Sequence, residues 1–259
     1  MMESSNQYVQ NICRCGLAHK GGNMNYRIGA ILITAIFITG CATQGISSFK
    51  YTENASMQIN NEIVVSKPQS QVWDILVKEL SKSFYVINNI DKESRIINVS
   101  FSSNSPSEYI DCGKSHRTYT QGDKTETYDY DVAGPATFKV ATARQEHPAF
   151  ANYVIIRREP LLDGRSNIYV APDEKDNSKT IVTVNTRYIW TIKVKGESFA
   201  QHVNGNVFSR GRLPEETTTV TFNTSQSGQQ DIGDGSKMTC FSKGKLEKDI
   251  LDMTKSEHK

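Results

Sequence analysis

The sequence contains one short segment in which a thiol, a cation and a potential base lie close together. Cys112 is followed closely by Lys114 and His116. A thiolate becomes a strong nucleophile when basic neighbours favour its formation, so this spacing could support a cysteine-dependent reaction. Cys240 offers an alternative, because paired thiols are oxidised in compartments outside the cytosol. We predict a Cys112–Cys240 disulfide and no catalytic residue, since a catalytic thiol beside such a partner would need its own reduction system.

The remaining residues capable of chemistry form no recognisable site. The histidines downstream of residue 41 are not spaced as zinc ligands are; they are His116, His147, His202 and His258. The acidic segments 173–177 and 231–235 lack the alternating ligands and closing glutamate of a calcium loop, so we interpret them as solvated turns. Nucleotide-binding loops and hydrolase elbows are also absent from the sequence. We therefore predict a protein that is not an enzyme and has no metal or cofactor.

The N-terminal segment has the features of a secretion signal. Met24 and Arg27 precede an apolar stretch, residues 28–38, that is too short to span a bilayer. The stretch ends in Ile38, Thr39 and Gly40, followed by Cys41. This resembles the lipobox of bacterial lipoproteins, which implies a diacylglyceryl group on the thiol, cleavage before Cys41 and acylation of the new amino terminus, commonly by palmitate. The alternatives are a single transmembrane anchor or a signal that is cut elsewhere.

The lipobox divides the chain into segments. Residues 1–23 are an upstream extension if translation starts at Met24, and residues 24–40 are the signal peptide. Residues 41–58 are the lipidated N-terminus and a flexible tether, and residues 59–255 are a single periplasmic domain. In lipoproteins of this kind, a residue other than Asp after the cysteine directs the protein to the outer membrane. Ala42 therefore implies an outer-membrane location, lipid-anchored and facing the periplasm.

The charge of the chain argues against a nucleic-acid partner. The chain has 30 basic and 28 acidic residues. Removing Arg14, Lys20, Arg27 and Glu3 leaves 27 of each (30 − 3 and 28 − 1) downstream of Cys41. Nucleic-acid binding depends on neutralising phosphates, so a neutral domain indicates no nucleic-acid partner.

Hydrophobic periodicity predicts a mixture of strands with a helix at each end of the domain. Ser66, Pro68 and Gln69 form a capping-box pattern before an amphipathic helix. Segments 84–88 and 95–101 predict a hairpin, and the alternation over 182–194 predicts a strand with one buried face, paired with 168–170. Segment 217–222 predicts another strand, and 242–254 a last helix. Segments 196–213 and 225–236 are predicted as loops.

The polar segment 113–131 is predicted as either a long hairpin or a loop. Its tyrosines suit either a surface hairpin or a partner-binding surface; they are Tyr119, Tyr128 and Tyr130.

Together these elements predict an α+β domain in which an antiparallel sheet grips a Pro-capped N-terminal helix and a C-terminal helix, as in helix-grip or TBP-like folds. Residues 63–101 resemble in pattern the domains of BamC, a lipoprotein of the β-barrel assembly machine. The resemblance implies the same fold and carries no binding residues with it. Long polar insertions and the cysteine pair depart from it.

The functional hypothesis is a membrane-anchored, non-enzymatic binding or scaffold subunit of an envelope assembly, with one or more envelope proteins as partners. The alternative is a lipid or small-ligand carrier with a cavity between sheet and helix.

Overall fold

The computed structural model describes residues 42–142, 147–233 and 236–255. Residues 1–41 and 256–259 are outside this range, so the lipobox residues, the signal peptide, Cys41 and His258 lie outside the described residues. The helices are α1 (Gln69–Lys82) and α2 (Lys245–Met253), and a short 3-10 helix spans Pro106–Glu108. The strands are β1 (Ile46–Thr52), β2 (Glu62–Val65), β3 (Val86–Asp91), β4 (Ile96–Ser103), β5 (Ile110–Asp111), β6 (Lys114–Gln121), β7 (Lys124–Asp131), β8 (Ala136–Ala141), β9 (Phe150–Pro172), β10 (Thr180–His202), β11 (Val207–Arg212), β12 (Glu216–Asn223), β13 (Gly228–Gly233) and β14 (Ser236–Ser242).

A long antiparallel ribbon formed by β9 and β10 organises the fold. Each strand has 23 residues, and they pair without a shift from Phe150 opposite His202 to Pro172 opposite Thr180. Alternate side chains of β10 face inward, including Tyr188 and Trp190, which are almost fully buried. This alternation follows from the period of two in a strand, and it gives the ribbon one core face.

Shorter strands extend the ribbon on both sides. Strands β2, β12 and β11 pair in turn along β10, while β8 and then β4 pair along β9, with β3 outside β4. Pro160 lies in β9 between these last two partners, because β8 pairs up to Arg158 and β4 begins at Leu162. A proline lacks the N–H that a central strand donates, so this break in pairing explains how β9 tolerates it.

The two helices cover one end of the inner sheet face. Trp73, Leu76 and Leu80 of α1 and Ile250 of α2 are buried in the same core cluster as Trp190. Gly164 in β9 allows the ring of Phe101 to pack directly against the backbone of the sheet. A Cβ at this position would lie 1.9 Å from that ring.

Smaller sheets complete the domain. Strands β1, β6 and β7 form a three-stranded sheet, and β13, β14 and β5 form another. Cys112, just after β5, and Cys240 in β14 form a disulfide, which confirms the predicted bond. The core cluster and this disulfide both lie within residues 42–255.

The prediction of an α+β helix-grip or TBP-like fold is wrong. The structure is mostly β, with 59% strand and 12% helix, and large antiparallel sheets dominate it. The β9–β10 ribbon extends well past the helices, and β1, β6 and β7 cover its other end. The predicted loops 196–213 and 225–236 are largely β10, β11 and β13 instead. Their polar and glycine-rich sequence favoured loops. Backbone hydrogen bonds to a neighbouring strand can nevertheless hold such segments in a sheet while their side chains stay exposed.

Two local predictions are also corrected. The N-cap of α1 is Pro68, with no side-chain cap, so Ser66 and Gln69 do not form a capping box. Gln69 donates from Nε2 to the Val170 carbonyl instead.

Segment 41–58 is not a flexible tether throughout. Its residues 46–52 form β1, in which Ile46 to Thr52 pair with Thr120 to Lys114 of β6. Upstream of the strand, Ala42 N donates to the Pro148 carbonyl, and Gln44 Nε2 donates to the Thr142 carbonyl at 2.8 Å. Backbone and side-chain hydrogen bonds therefore attach the chain to the domain from Ala42 onward.

Candidate functional site

A cleft of about 410 Å³ lies between the three-stranded sheet of β1, β6 and β7 and the β8–β9–β10 part of the large sheet. This is the end of the β9–β10 ribbon that the helices leave uncovered. Most of its lining is apolar, with two arginines among the aromatic and aliphatic side chains. The lining residues are Phe49, Tyr51, Ser115, Arg117, Tyr130, Val132, Phe138, Val140, Ile156, Arg158, Val194, Glu216 and Ile232. We call this feature the arginine cleft.

Arg117 is held between two aromatic rings. It alternates in β6 with exposed His116, so it shares the inward face of the strand with Ser115. Its guanidinium carbon lies 4.1 Å from the ring centre of Phe49 and 4.5 Å from that of Phe138. Stacking of this kind favours a cation by about 0.5–2 kcal/mol per ring and holds the planar group in one orientation.

Arg158 enters the same cleft from β9. Its Nη2 donates to the Val132 carbonyl at 2.9 Å, and its guanidinium carbon lies 5.1 Å from the ring centre of Tyr130. The Tyr130 hydroxyl in turn accepts a hydrogen bond from Arg117 Nε at 2.9 Å, which links the two arginines through one phenol. Burial lowers the pKa of Arg158 from its usual value, and the nearby charge of Arg117 adds to this effect.

The two arginines give the arginine cleft an excess of positive charge over its one acidic residue. Among the described residues, neither Arg117 nor Arg158 forms a salt bridge with a carboxylate, and the cleft's one acid, Glu216, is an exposed residue. Two buried polar atoms, Arg158 Nη1 and Ser115 Oγ, have no hydrogen-bond partner in the part of the chain that the structure describes. Each such atom costs about 1–3 kcal/mol when it stays unsatisfied.

This geometry suits the binding of an anion with an apolar body. Guanidinium groups and a hydroxyl can donate to a carboxylate, sulfonate or phosphate, and a low-dielectric surrounding strengthens those contacts. The aromatic and aliphatic walls can bury a hydrocarbon or ring portion of the same molecule. The described part of the chain holds no cluster of three or more potential metal ligands.

Of the other side chains singled out in the sequence, those that the structure describes lie apart from the cleft, with one exception. Cys112 is bonded to Cys240, so it offers no free thiol beside His116. His116 Nδ1 instead lies 2.7 Å from Asp129 Oδ1 on an exposed face. Segment 113–131 is the β6–β7 hairpin, and the exception is its Tyr130, which lines the cleft.

Sequence reasoning missed both arginines. Strand alternation carried the relevant signal, because Arg158 shares its face of β9 with Ile156 and buried Leu162. An arginine on the apolar face of a strand is unusual unless it is paired or has a ligand to bind. Arg158 can be assigned to the apolar face only when Phe150–Pro172 is known to be one continuous strand.

No protein-family model matches the chain, and neither a curated protein nor a solved structure matches it. No helix among residues 42–142, 147–233 and 236–255 is long and apolar enough to cross a membrane.

Proposed function

We propose that this chain is a lipid-anchored envelope protein that binds, without transforming it, a small amphipathic anion in the arginine cleft. The observation that carries the proposal is the pair Arg117 and Arg158, which face one apolar cleft and have no carboxylate partner among the described residues. The lipobox ending at Cys41 supports the anchoring and the envelope location. The proposal develops the carrier hypothesis. That hypothesis placed the ligand between the sheet and a helix, whereas the arginine cleft lies between two sheets.

Energetics also favour a ligand. Orienting two cations side by side in an apolar cleft is unfavourable by itself, and aromatic stacking offsets only part of that. A bound anion would neutralise both, and rotation of the two side chains toward the cleft would give the buried Arg158 Nη1 and Ser115 Oγ a partner. The exposed carboxylate of Glu216 at the cleft favours a ligand whose anionic group sits deep, away from it.

Calorimetric titration with a matched pair of amphiphiles tests the proposal. The chain from Ala42 onward contains the whole described core and is titrated with octanoate and with octyltrimethylammonium, which share a tail and differ in charge. Octanoate should bind and the cation should not. Arg117→Gln should weaken octanoate about tenfold, the equivalent of one charge-assisted hydrogen bond. Arg157→Gln, on the opposite face of β9, is the control and should bind as the wild type does.

Ser115→Ala separates binding from folding. It removes a hydroxyl that has no partner among residues 42–142, 147–233 and 236–255, so stability should stay the same or rise while octanoate affinity falls. Equal binding of both amphiphiles, or unchanged affinity in Arg117→Gln and Ser115→Ala together, would overturn the proposal.

A protein partner is the second candidate function, and one surface favours it. The hairpin between β10 and β11 carries apolar side chains at its end: Val203, Val207 and Phe208 are 46%, 49% and 52% exposed. Exposed apolar clusters are typical of protein interfaces. In-cell cross-linking of the full chain should capture an envelope protein that Phe208→Ser no longer captures. Val86→Ser, at a β3 site that is 60% exposed, is the matched control.

A further inference from the structure

The outer face of the large sheet carries a row of asparagines that crosses several strands. We call this feature the asparagine row: Asn61, Asn185, Asn167, Asn98 and Asn88. Asn98 pairs with Asn167, and Asn167 pairs with Asn185, at directly opposite positions. This face is opposite to the one that packs on the helices, and it is separate from the arginine cleft.

Side-chain amides link the row at its ends and leave its centre open. Asn88 Nδ2 donates to Asn98 Oδ1 at 2.9 Å, and Asn98 Nδ2 donates to Asn167 Oδ1 at 2.6 Å. At the far end, Asn61 Nδ2 donates to Asn185 Oδ1 at 3.0 Å. Between Asn167 and Asn185 the described structure has no side-chain hydrogen bond, so both Nδ2 groups are oriented by their neighbours yet free to donate.

Two arginines lie beside this open centre. Arg165 and Arg187 are directly opposite each other two residues along from Asn167 and Asn185, on the same face of the sheet. Both are exposed, and among the described residues neither forms a salt bridge with a carboxylate. Like charges directly opposite on a sheet are unfavourable, which makes the pair a poor choice for stability alone. Both arginines and both central asparagines line a shallow polar cavity of about 520 Å³.

An aromatic side chain completes the surface. Tyr169 lies two residues beyond Asn167 on the same face of β9 and is 42% exposed. Sugars are bound by this combination of groups: amides that pair with hydroxyls, and an aromatic face that accepts the C–H side of a pyranose ring. Guanidinium groups add a preference for a carboxylate or phosphate on the sugar.

We propose that this face is a second binding site, for an acidic oligosaccharide bearing carboxylates or phosphates. Arg165 and Arg187 hold the anionic groups, Asn167 and Asn185 bind hydroxyls, and Tyr169 supports a ring. A nucleic acid fits less well, because residues 42–259 carry no net positive charge to neutralise a run of phosphates.

Titration with chemically matched sugars tests the site. The chain from Ala42 onward is titrated by calorimetry with β-1,4-oligomannuronate, with oligogalacturonate and with neutral β-1,4-manno-oligosaccharide, which differs from the first in its lack of carboxylates. An acidic sugar should bind and the neutral one should bind more weakly. Arg165→Gln with Arg187→Gln should reduce acidic-sugar affinity by about tenfold or more, given the strength of charge-assisted hydrogen bonds.

Three control measurements test whether sugar binding depends on this face of the sheet. Lys193→Gln removes an exposed cation from the same face of β10, outside the row, and should leave affinity unchanged. Removing the arginine pair relieves a like-charge contact, so the double variant should fold as well as the wild type. Ser115→Ala should not alter sugar binding, which separates this site from the arginine cleft. The proposal is overturned if neither acidic sugar binds, if Lys193→Gln weakens binding as much as the double variant, or if a single-stranded oligonucleotide binds more tightly than both sugars.

Discussion

The phenolic oxygen of Tyr188 lies 2.9 Å from both carboxylate oxygens of Glu247, in the interior of the protein. Thr224 Oγ1 donates to the same carboxylate at 2.8 Å, and Ser242 Oγ donates to the Tyr188 hydroxyl at 3.1 Å. A buried carboxylate is tolerated only when donors surround it. This network therefore ties α2 to the centre of β10, to Ser242 at the end of β14 and to Thr224 just after β12.

Removing one donor from this network should destabilise the fold. Tyr188→Phe keeps the ring and deletes the hydroxyl, so it should lower the free energy of unfolding by about 1–3 kcal/mol. Denaturant unfolding of both proteins measures this. Tyr169→Phe, on the exposed face, is the control and should change the free energy little. Equal stability of Tyr188→Phe and the wild type would contradict the role given to Glu247.

The disulfide should provide a large share of the stability. Cys112 and Cys240 are 128 residues apart, so the bond closes a long loop in the unfolded chain. In the chain-entropy description, replacing both by serine should cost about 4–5 kcal/mol. Denaturant unfolding gives the value, and iodoacetamide labelling of the native protein without reductant should modify neither cysteine. A reactive Cys112 thiol would instead revive the nucleophile interpretation.

Stability should fall at alkaline pH. Burial raises the pKa of Tyr119 to about 12, and burial followed by its hydrogen bond to Glu126 raises that of Tyr128 to about 12. From about pH 10 to pH 12 the unfolded chain has lost protons that the folded protein retains, so the free energy of unfolding decreases as pH rises. Below that window both states are protonated and the contribution is constant.

The variant Tyr119→Phe checks this assignment. Its free energy of unfolding should decline less than that of the wild type over the same window, because one of the retained protons is gone. Denaturant midpoints measured at several pH values give the two slopes. Parallel slopes would show that Tyr119 does not retain its proton in the folded state.

Lipidation at Cys41 is predicted from the lipobox alone. Cells fed an alkyne-labelled palmitate should incorporate the label into the wild-type chain and not into Cys41→Ser, which should also leave the membrane fraction. Thr39→Ser, which keeps a small residue in the lipobox, is the control and should be labelled normally. A labelled Cys41→Ser variant would mean that the lipid, if present, is attached elsewhere.

Local patterns in the sequence predicted several elements correctly because each depends on neighbouring residues. The helix α1, the 84–101 hairpin and the inward face of β10 follow from periodicity, and the disulfide follows from the number of cysteines and the compartment expected from the lipobox. Strand β9 was predicted at 168–170 and not along its full length, since Pro160 and Gly164 interrupt its pattern. Both residues are explained by partners distant in sequence: a break in strand pairing at Pro160 and the Phe101 ring at Gly164.

The candidate sites were not predictable for a related reason. Arg117 and Arg158 come from different strands and meet only because β6 and β9 belong to facing sheets. The asparagine row depends on register, and a shift of one residue in any strand would move its member to the other face. Neither arrangement leaves a motif of fixed spacing along the chain.

The attachment of residues 42–44 to the domain has a consequence for geometry at the bilayer. If Cys41 carries lipid, the anchor lies next to a residue whose backbone is already bonded to Pro148, with no slack between them. The domain would then lie close to the membrane surface in one preferred orientation. Phe49 and Tyr51 follow seven and nine residues after Ala42, so at about 3.3 Å per residue the arginine cleft would lie no more than roughly 30 Å of extended chain from the lipid anchor.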